Sequence, residues 1–406
     1  MKPVKRNFSI STTHLRWHAS MSAKSTSLLV LANSGRAIAE SAHRGGYRVT
    51  LIDGFCDQDT LAVADCWPVT QGFSNLDAEI FVKEIASLFP DKPCGVVYGA
   101  GLEESASLLR CLSEFCRLFG NDPSVLDLLR RPQRFFSLLD RLQIAYPEVS
   151  LTLPYSATES SWLIKRAASC GGQGVAYYSP EYTATDSACY YQRFIPGQVM
   201  SVLFIADGKR HHTVGYNMLG IAGSGAPAPF LYSGAIGQAY LCDVVRSQVE
   251  LAVIKLVSEL GLRGINSLDF VHDDAGIFVI DLNPRPTATL DLYEHLLPDG
   301  WIKHHIAACC GELPEVPNNA PAVMHGHQII YAPRNVEIPN KMSWPQWISD
   351  RPPAGSRIVE GQPLCSLHAK GANATEVEAE LHIHRDEVLR LLGPSIYPSQ
   401  PCRVAV

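Results

Sequence analysis

Short apolar runs separated by segments with helical spacing fill the first third of the chain. Residues 27–32 (SLLVLA) and 47–53 (YRVTLID) are β-type runs on either side of an alanine-rich helical segment. A second unit follows, with the run CGVVYGAG at 94–101 and then a helix. The apolar side of that helix is formed by Leu108, Leu109, Leu112 and Phe115. Strands alternating with helices predict a parallel α/β domain over residues 27–122.

The turn of the first unit carries one glycine, Gly35, where a dinucleotide-binding fingerprint requires three. A nicotinamide-dependent oxidoreductase is therefore disfavoured. Asp53 ends the second run, at the carboxyl end of a strand, where open α/β sheets bind their ligands. It could hold a substrate amine or cap a loop, and its position is compatible with both roles.

Residues 264–286, GINSLDFVHDDAGIFVIDLNPRP, predict an antiparallel hairpin, because two runs of strand composition flank a turn-like HDDAG. If residues 273–277 form the loop, Asp269 faces Asp281, and Asn283 shares their face of the hairpin. A one-residue slip in register would separate Asp269 from the other two.

Two carboxylates and an amide oxygen on one face form the hard oxygen set that Mg²⁺ prefers when it also holds phosphates, with Mn²⁺ as an alternative ion. Like charges this close are costly unless a cation lies between them. Arg285, fixed between Pro284 and Pro286, would project a permanently charged fork toward the bound anion. The segment therefore predicts a metal and phosphate site. The alternative is an acidic hairpin with a solvated turn, which is the favoured interpretation for Asp273 and Asp274.

Residues 162–179, WLIKRAASCGGQGVAYYS, predict a strand that delivers Lys165, a glycine-rich loop and a second strand. Glycines allow backbone amides to point jointly at an anion, and a lysine ammonium is a usual partner of phosphate. Because the lysine precedes the glycines, this is not a Walker A loop. A glycine-rich hairpin beside a surface lysine is an equally good interpretation of this stretch alone.

Residues 192–195 predict a short extended connector whose backbone could hydrogen-bond the edge of a purine between apolar side chains. These side chains could equally belong to the core. Two β runs then meet at a hairpin turn at 206–208. The glycine-rich segment 221–237 predicts a long loop, and residues 248–260 predict an amphipathic helix.

The 406 residues carry a net charge of -6 with lysine and arginine scattered, which argues against a nucleic-acid surface or a polybasic membrane patch. No apolar run approaches the roughly 20 residues that a membrane helix needs. Residues 1–26 lack the apolar core of a secretory signal, and we expect a disordered tail there. Twelve thinly spread cysteines without a Cys-x-x-Cys motif predict reduced thiols and a cytoplasmic protein. Cys170 is the thiol most open to reaction, although a small space-filling residue is the favoured interpretation of that position.

Residues 133–312 resemble the ATP-grasp superfamily. The resemblance lies in the order of the elements, which are a lysine, a glycine loop, a connector, a hairpin, a helix and the motif D-F…D-x-N-P-R-P. The resemblance implies an ATP-dependent carboxylate–amine ligase that works through an acyl phosphate. It also implies a mixed α/β and α+β fold. The expected parts are a tail (1–26), a Rossmann-like α/β domain (27–122), an ATP-grasp domain (123–320, with a small lobe near 150–195 and a large lobe near 196–320) and an α+β cap (321–406).

The resemblance also implies roles for individual residues. Phosphate contacts fall on Lys165, Gly171, Gly172 and Gly174. Adenine contacts fall on the connector, Gln192, Arg193, Phe194 and Ile195. The metal ligands are Asp269, Asp281 and Asn283. Arg285 and Lys165 are the implied catalytic residues, and Arg285 would stabilise the transferring phosphoryl group and the tetrahedral intermediate.

Three positions depart from the family's pattern. Val199 occupies the place of the ribose-binding carboxylate, and Gln198 is the only polar substitute beside it. The first phosphate lysine has no counterpart, so Arg131 or Arg134 would replace it. Both metal carboxylates are aspartates where a glutamate is common, which shortens their reach. These departures bear on nucleotide affinity rather than on the fold.

The pattern P-x-G-x-x-I-x-x-G-x-P at 353–363 is similar to ATP-grasp proteins of tetrahydromethanopterin- and methanofuran-type one-carbon carrier pathways. This implies glutamate or amino-acid ligation to a cofactor precursor, with glutamate joined to tyrosine or tyramine as the nearest chemistry. The expected partners are a small carboxylate, a small amine and a second copy of the chain, without nucleic acid or membrane. A non-catalytic ATP-binding regulatory protein is the alternative, favoured by the missing carboxylate and lysine.

Overall fold

The computed structural model describes residues 27–89, 92–154, 158, 161–167, 169–180, 188–221, 228–273, 276–316 and 323–393, so the tail expected at 1–26 lies outside it. The first part is a parallel sheet in the order β3 (Ala64–Pro68), β2 (Arg48–Asp53), β1 (Ser27–Ala32), β4 (Gly95–Tyr98) and β5 (Leu118–Phe119). Its helices are α1 (Arg36–Arg44), α2 (Gln58–Val63), α3 (Ala78–Leu88) and α4 (Ala106–Phe115). The predicted parallel α/β arrangement is present.

Asp53 caps loops in this first sheet. Its fully buried carboxylate accepts hydrogen bonds from the backbone N–H groups of Gly35, Gly54 and Cys56 at 3.1, 2.9 and 3.0 Å. Burial raises the pKa of Asp53 to about 6 despite these bonds. Of the two roles open from the sequence, the structure therefore assigns the loop cap.

A disulfide joins Cys56 and Cys66, with their Cα atoms 5.9 Å apart, so the prediction of reduced thiols is wrong for this pair. The reason is topological. The two residues are separated by a helix in sequence, but β2 and β3 are hydrogen-bonded neighbours, which brings the loop after β2 beside β3. The cytoplasmic assignment loses that part of its support.

An eight-stranded antiparallel sheet forms the centre of the molecule, in the order β14 (Gly276–Asn283), β13 (Arg263–Asp273), β10 (Val199–Asp207), β11 (His211–Ile221), β12 (Tyr232–Gly237), β15 (Met324–Tyr331), β19 (Pro363–Gly371) and β17 (Ile348–Ser349). A four-stranded sheet faces it, in the order β6 (Val149–Ser150), β9 (Cys189–Arg193), β7 (Trp162–Arg166) and β8 (Val175–Tyr177). Strands β16 (Val336–Glu337) and β18 (Arg357–Ile358) form a separate pair.

The remaining helices are α5 (Pro123–Leu129), α6 (Pro132–Arg141), α7 (Asp243–Leu260), a 3₁₀ helix (Ala288–Leu296), α8 (Trp301–Cys309) and α9 (Ala374–Leu391). Helix α7 contains the segment 248–260 that the sequence predicts to be helical, whereas α5, α8 and the 3₁₀ helix were not predicted. Across the described ranges, none of the helices is long and apolar enough to cross a bilayer.

Two sequence predictions need correction. Gln192 and Arg193 are not in a free connector but in β9, where Gln192 pairs with Leu163. The end of the predicted loop 221–237 is strand β12, although residues 222–227 lie outside the described part. In the segment expected to form the α+β cap, β15 pairs with β12, so that β15, β19 and β17 continue the large sheet, while β16 and β18 form their own pair.

Both faces of β10 are buried, which fixes the large sheet between two cores. Leu203 and Ile205 pack with the first α/β sheet and with Trp301 of α8. Val202 and Phe204 point the other way and pack with α6 and α7. The cleft between the large sheet and the four-stranded sheet is therefore held on a rigid support.

Candidate active site

The hairpin of β13 and β14 places Asp269 directly opposite Asp281, as the sequence predicts, but by a different route. Asp273 pairs with Gly276, so the turn is tighter than residues 273–277. A β-bulge between Asp269 and Phe270 then absorbs the extra residue and restores the pairing. The bulge thus decides that the two carboxylates share a face.

The donor set on this face fits a hard cation. Asp269 accepts hydrogen bonds from Asn283 Nδ2 at 3.1 Å and from Ser267 Oγ at 3.2 Å. Burial and the like charge of Asp281 raise the pKa of Asp269 to about 7. Two carboxylates that repel each other beside an amide oxygen form a set that a divalent cation would stabilise.

Lys165 on β7 reaches this face from the opposite sheet. Its Nζ donates to Gln192 Oε1 at 3.2 Å and lies 3.5 Å from the carbonyl oxygen of Ile280. Burial opposes its charge, but Tyr190 and Asp281 outweigh that and raise the pKa of Lys165. The side chain is therefore a cation at neutral pH, placed to meet an anion held by the hairpin.

The glycine loop after β7 closes against the segment that leads into β12. The Tyr232 N–H donates to the Gly171 carbonyl at 2.9 Å. Gly172 has φ +75°, and a Cβ there would lie 1.8 Å from the carbonyl oxygen of Phe230. Only glycine fits this contact. The loop is thus a cover across the cleft rather than a free surface hairpin.

Gln192 presents an unused donor to the cleft. Its side chain is 2% exposed, and among the described residues its Nε2 has no hydrogen-bond partner. Beside it, the rings of Phe194, Tyr177 and Phe230 form an aromatic cluster with centroids 4.9–6.4 Å apart. This end of the cleft can hold a planar ring with a hydrogen-bonding edge.

Arg285 is buried and held from the first α/β sheet by Glu103, a residue that the sequence did not single out. Glu103 Oε1 lies 2.7 Å from Arg285 Nε and 2.6 Å from Nη2. Nη2 also donates to Asn283 Oδ1 at 3.1 Å, and Nη1 donates to the Pro286 carbonyl at 3.3 Å. A guanidinium has five N–H donors. These contacts use four, which leaves one N–H of Nη1 for a ligand.

The backbone beside Arg285 is held from the same direction. Tyr98 Oη and Asn121 Nδ2 both donate to the carbonyl oxygen of Pro284, at 3.1 and 2.8 Å. Asn121 also accepts from the Arg263 N–H at 2.8 Å. The turn after the β13–β14 hairpin is therefore positioned by the first α/β part of the chain.

One cavity of about 570 Å³ connects these elements. Most of the predicted site residues line it: Lys165, Gly171, Gly172, Gln192, Arg193, Phe194, Ile195, Asp269, Asp281, Asn283 and Arg285. Glu103, Cys170, Tyr232, Ser201 and Arg130 line it as well. Burial raises the pKa of the Cys170 thiol to about 11, so it is less reactive than the sequence suggested.

Residues 134–289 match the family model described as the ATP-grasp domain. The chain contains an ATP-grasp domain. The expected fold class is confirmed by the solved structures it resembles. The biotin carboxylase domain of the Hydrogenobacter thermophilus 2-oxoglutarate carboxylase has a TM-score of 0.68 at 14% identity, covering 89% of each chain. The L-amino acid ligase from Bacillus licheniformis has a TM-score of 0.66 at 16% identity, covering 89% of this chain and 97% of that one.

Curated relatives match up to about half of this chain. The carbamoyl phosphate synthase large chain of Vibrio vulnificus is 27% identical over 224 residues, 49% of this chain and 20% of that protein. The tyramine–L-glutamate ligase of Methanocaldococcus jannaschii is 27% identical over 138 residues, 34% of this chain and 39% of that protein. This chain thus spans about a fifth of the length of the carbamoyl phosphate synthase.

Three residues predicted for the ATP-grasp site do not line the described cavity: Arg134, Gly174 and Gln198. The Gln198 amide instead donates to the carbonyls of Val199 and Leu219, at 2.9 and 3.0 Å. Arg130, which ends α5, reaches the cavity in place of Arg131 or Arg134, with its Nε 3.3 Å from Asp127. Since α5 was not predicted, no signal in the sequence pointed to Arg130.

Proposed function

We propose that this protein is an ATP-dependent carboxylate–amine ligase that forms an amide bond through an acyl phosphate. The observation that carries the proposal is the cavity itself. It places the Asp269–Asp281 pair, the Lys165 ammonium and the Arg285 guanidinium around one space. Such a set neutralises the charge of a transferring phosphoryl group.

The residues around the cavity form two ends, one for the purine and one for the phosphates. A purine fits between the aromatic cluster and Gln192, while Lys165 and the glycine loop hold phosphate. Asp269, Asp281 and Asn283 would hold Mg²⁺, which offsets phosphate charge when bound. The closed glycine loop excludes water, so that the activated acid is not hydrolysed.

The chemistry takes two steps. A substrate carboxylate oxygen attacks the γ-phosphorus of ATP, the bond from γ-phosphorus to the bridging oxygen breaks, and ADP leaves. The amine nitrogen then attacks the acyl carbon, loses a proton and expels inorganic phosphate. Arg285, through its remaining N–H, would stabilise the oxyanion of the second step.

The substrate pair that we propose to test first is glutamate with tyramine or tyrosine. Its support is the relative named as a tyramine–L-glutamate ligase, together with the C-terminal pattern at 353–363. The structural likeness to an L-amino acid ligase supports free amino acids as a second class. If glutamate and tyramine are the substrates, the amide product would be a precursor of a one-carbon carrier.

The experiment is a screen of carboxylate and amine pairs with ATP and Mg²⁺, read by ADP release and by mass spectrometry of the amide. We expect one amide and one ADP per turnover with the matching pair, and none with Asp281→Asn. ATP binding without ADP release for any pair would favour the alternative, an ATP-binding regulatory protein. Two observations favour this alternative. An apolar residue, Val199, lines the cavity, and the Arg130 side chain is paired with Asp127.

A further inference from the structure

The sheet floor of the cavity is ordered in two rows. In the first, strand pairing sets Asp281, Asp269 and Ser201 side by side across β14, β13 and β10. In the second, two residues further along the strands, Val271 of β13 pairs with Val199 of β10. All five residues line the cavity. A charged row is thus followed by an apolar row.

The apolar row continues into β11 and ends at the purine end of the cavity. Leu219 lies two residues beyond Asn217, which pairs with Ser201, so it shares the face of Val199. Ile195 and Gly197 connect β9 to this row and line the cavity as well. Two residues of a strand span about 7 Å. If phosphates lie over the charged row and the base lies at the purine end of the cavity, this distance matches the space that the sugar between them needs.

Hydrogen-bonding groups on the second row are already used. The carbonyls of Val199 and Leu219 each accept a hydrogen bond from the Gln198 amide. The side chains of Val199, Val271 and Leu219 offer no donor or acceptor. Among the described residues, the row therefore gives a sugar hydroxyl no side-chain partner.

Resting on the proposed function, we propose that this row is the floor under the nucleotide sugar and that Val199 makes the site indifferent to the ribose hydroxyls. A carboxylate that binds a hydroxyl in a buried site separates the two sugars by about tenfold to a hundredfold. An apolar floor gives no such difference in affinity between the two sugars, because the hydroxyl groups stay hydrogen-bonded to water. ATP and 2′-deoxy-ATP should serve almost equally.

The first test uses the wild-type protein and does not depend on turnover. Dissociation constants of ADP, 2′-deoxy-ADP and 2′,3′-dideoxy-ADP with Mg²⁺ are measured by calorimetry. Values within fivefold of one another are expected, and a preference for ADP above fivefold overturns the inference while leaving the ligase proposal intact. Failure of all three to bind overturns both.

The second test adds a carboxylate to the floor. Val199→Glu should bind ADP at least tenfold more tightly than 2′-deoxy-ADP. Val244→Glu, on the exposed side of α7 with 69% of the side chain accessible, is the matched control and should keep the wild-type ratio. If Val199→Glu is unfolded by circular dichroism, Val199→Gln takes its place. A folded variant at position 199 with the wild-type ratio would show that the sugar does not lie over Val199.

Discussion

Glu103 and Arg285 are 182 positions apart in sequence, yet Glu103 Oε1 lies within 2.7 Å of two guanidinium nitrogens of Arg285. The carboxylate itself is fixed, because its other oxygen accepts the Gly101 N–H at 2.7 Å. The first α/β part of the chain therefore sets the direction of Arg285, which lines the cavity just after the hairpin.

Replacing Glu103 with Gln should lower kcat about tenfold to a hundredfold, because a neutral amide oxygen holds the Arg285 guanidinium more weakly than a carboxylate does. The KM for ATP should change less than threefold, since the purine and phosphate contacts are untouched. Steady-state kinetics measure both. Glu104→Gln, at the exposed neighbouring position, is the control. Equal losses in kcat and in ATP affinity would contradict a positioning role.

Asp281→Asn should abolish ATP turnover and also raise the melting temperature of the nucleotide-free protein, because it removes a like charge beside Asp269. Thermal denaturation with and without Mg²⁺ and ADP checks this. The stabilisation by Mg²⁺ and ADP should disappear in the variant. Asp243→Asn, exposed at the start of α7, should leave both quantities unchanged. If Mg²⁺ and ADP raise the melting temperature of Asp281→Asn as much as that of the wild-type protein, the assignment of Asp281 as a metal ligand is refuted.

Gly172→Ala should lower kcat/KM more than tenfold, since its Cβ would lie 1.8 Å from the Phe230 carbonyl and keep the glycine loop open. Gly171→Ala is a matched control. Gly171 also has a positive φ, +61°, but a Cβ there meets nothing within 4 Å. Its cost is limited to the backbone preference, about 1–2 kcal/mol. Comparable losses in the two variants would show that the contact with Phe230 is unimportant.

His305 on α8 should make stability depend on pH. Its Nδ1 accepts the Ile265 N–H at 2.9 Å, and its Nε2 lies 3.0 Å from the Phe119 carbonyl. Burial lowers the pKa of His305 to about 4 from an ordinary 6.5. The unfolded chain therefore binds more protons between these values, and the stability that the neutral ring provides is lost as pH falls from about 6.5 to 4.

Urea midpoints from pH 4 to 7.5 test this. The difference between wild type and His305→Gln should shrink with falling pH by up to about 3 kcal/mol, from about 1.4 kcal/mol per pKa unit. Other histidines cancel in the difference. His382→Gln, exposed on α9, should show no such trend. Parallel pH profiles for wild type and His305→Gln would exclude the effect.

Local patterns allowed strands β1, β2, β4 and β7, helices α1, α4 and α7 and the β13–β14 hairpin to be predicted, since each rests on composition within a few residues. The pairing of Asp269 with Asp281 was predicted from a loop that is not the observed one, and the bulge compensated. Register depends on such single-residue irregularities, which sequence patterns do not encode.

Contacts between distant parts were missed for a common reason. The Glu103–Arg285 pair and the Cys56–Cys66 disulfide form only when separate strands have already been brought together. The exchange of Arg134 for Arg130 follows from where α5 ends. Each depends on tertiary placement, so a glutamate in an acidic run or a cysteine among twelve carries no mark of it.

The pairing of β12 with β15 ties the closed glycine loop to the end of the chain. Tyr232, whose N–H holds Gly171, also contacts His327 of β15 through its hydroxyl at 2.7 Å. Cutting the chain before β15 would leave β12 as an unpaired edge, open to strand addition by other molecules. The C-terminal strands therefore both cover the β12 edge and help to hold the cover of the cavity in place.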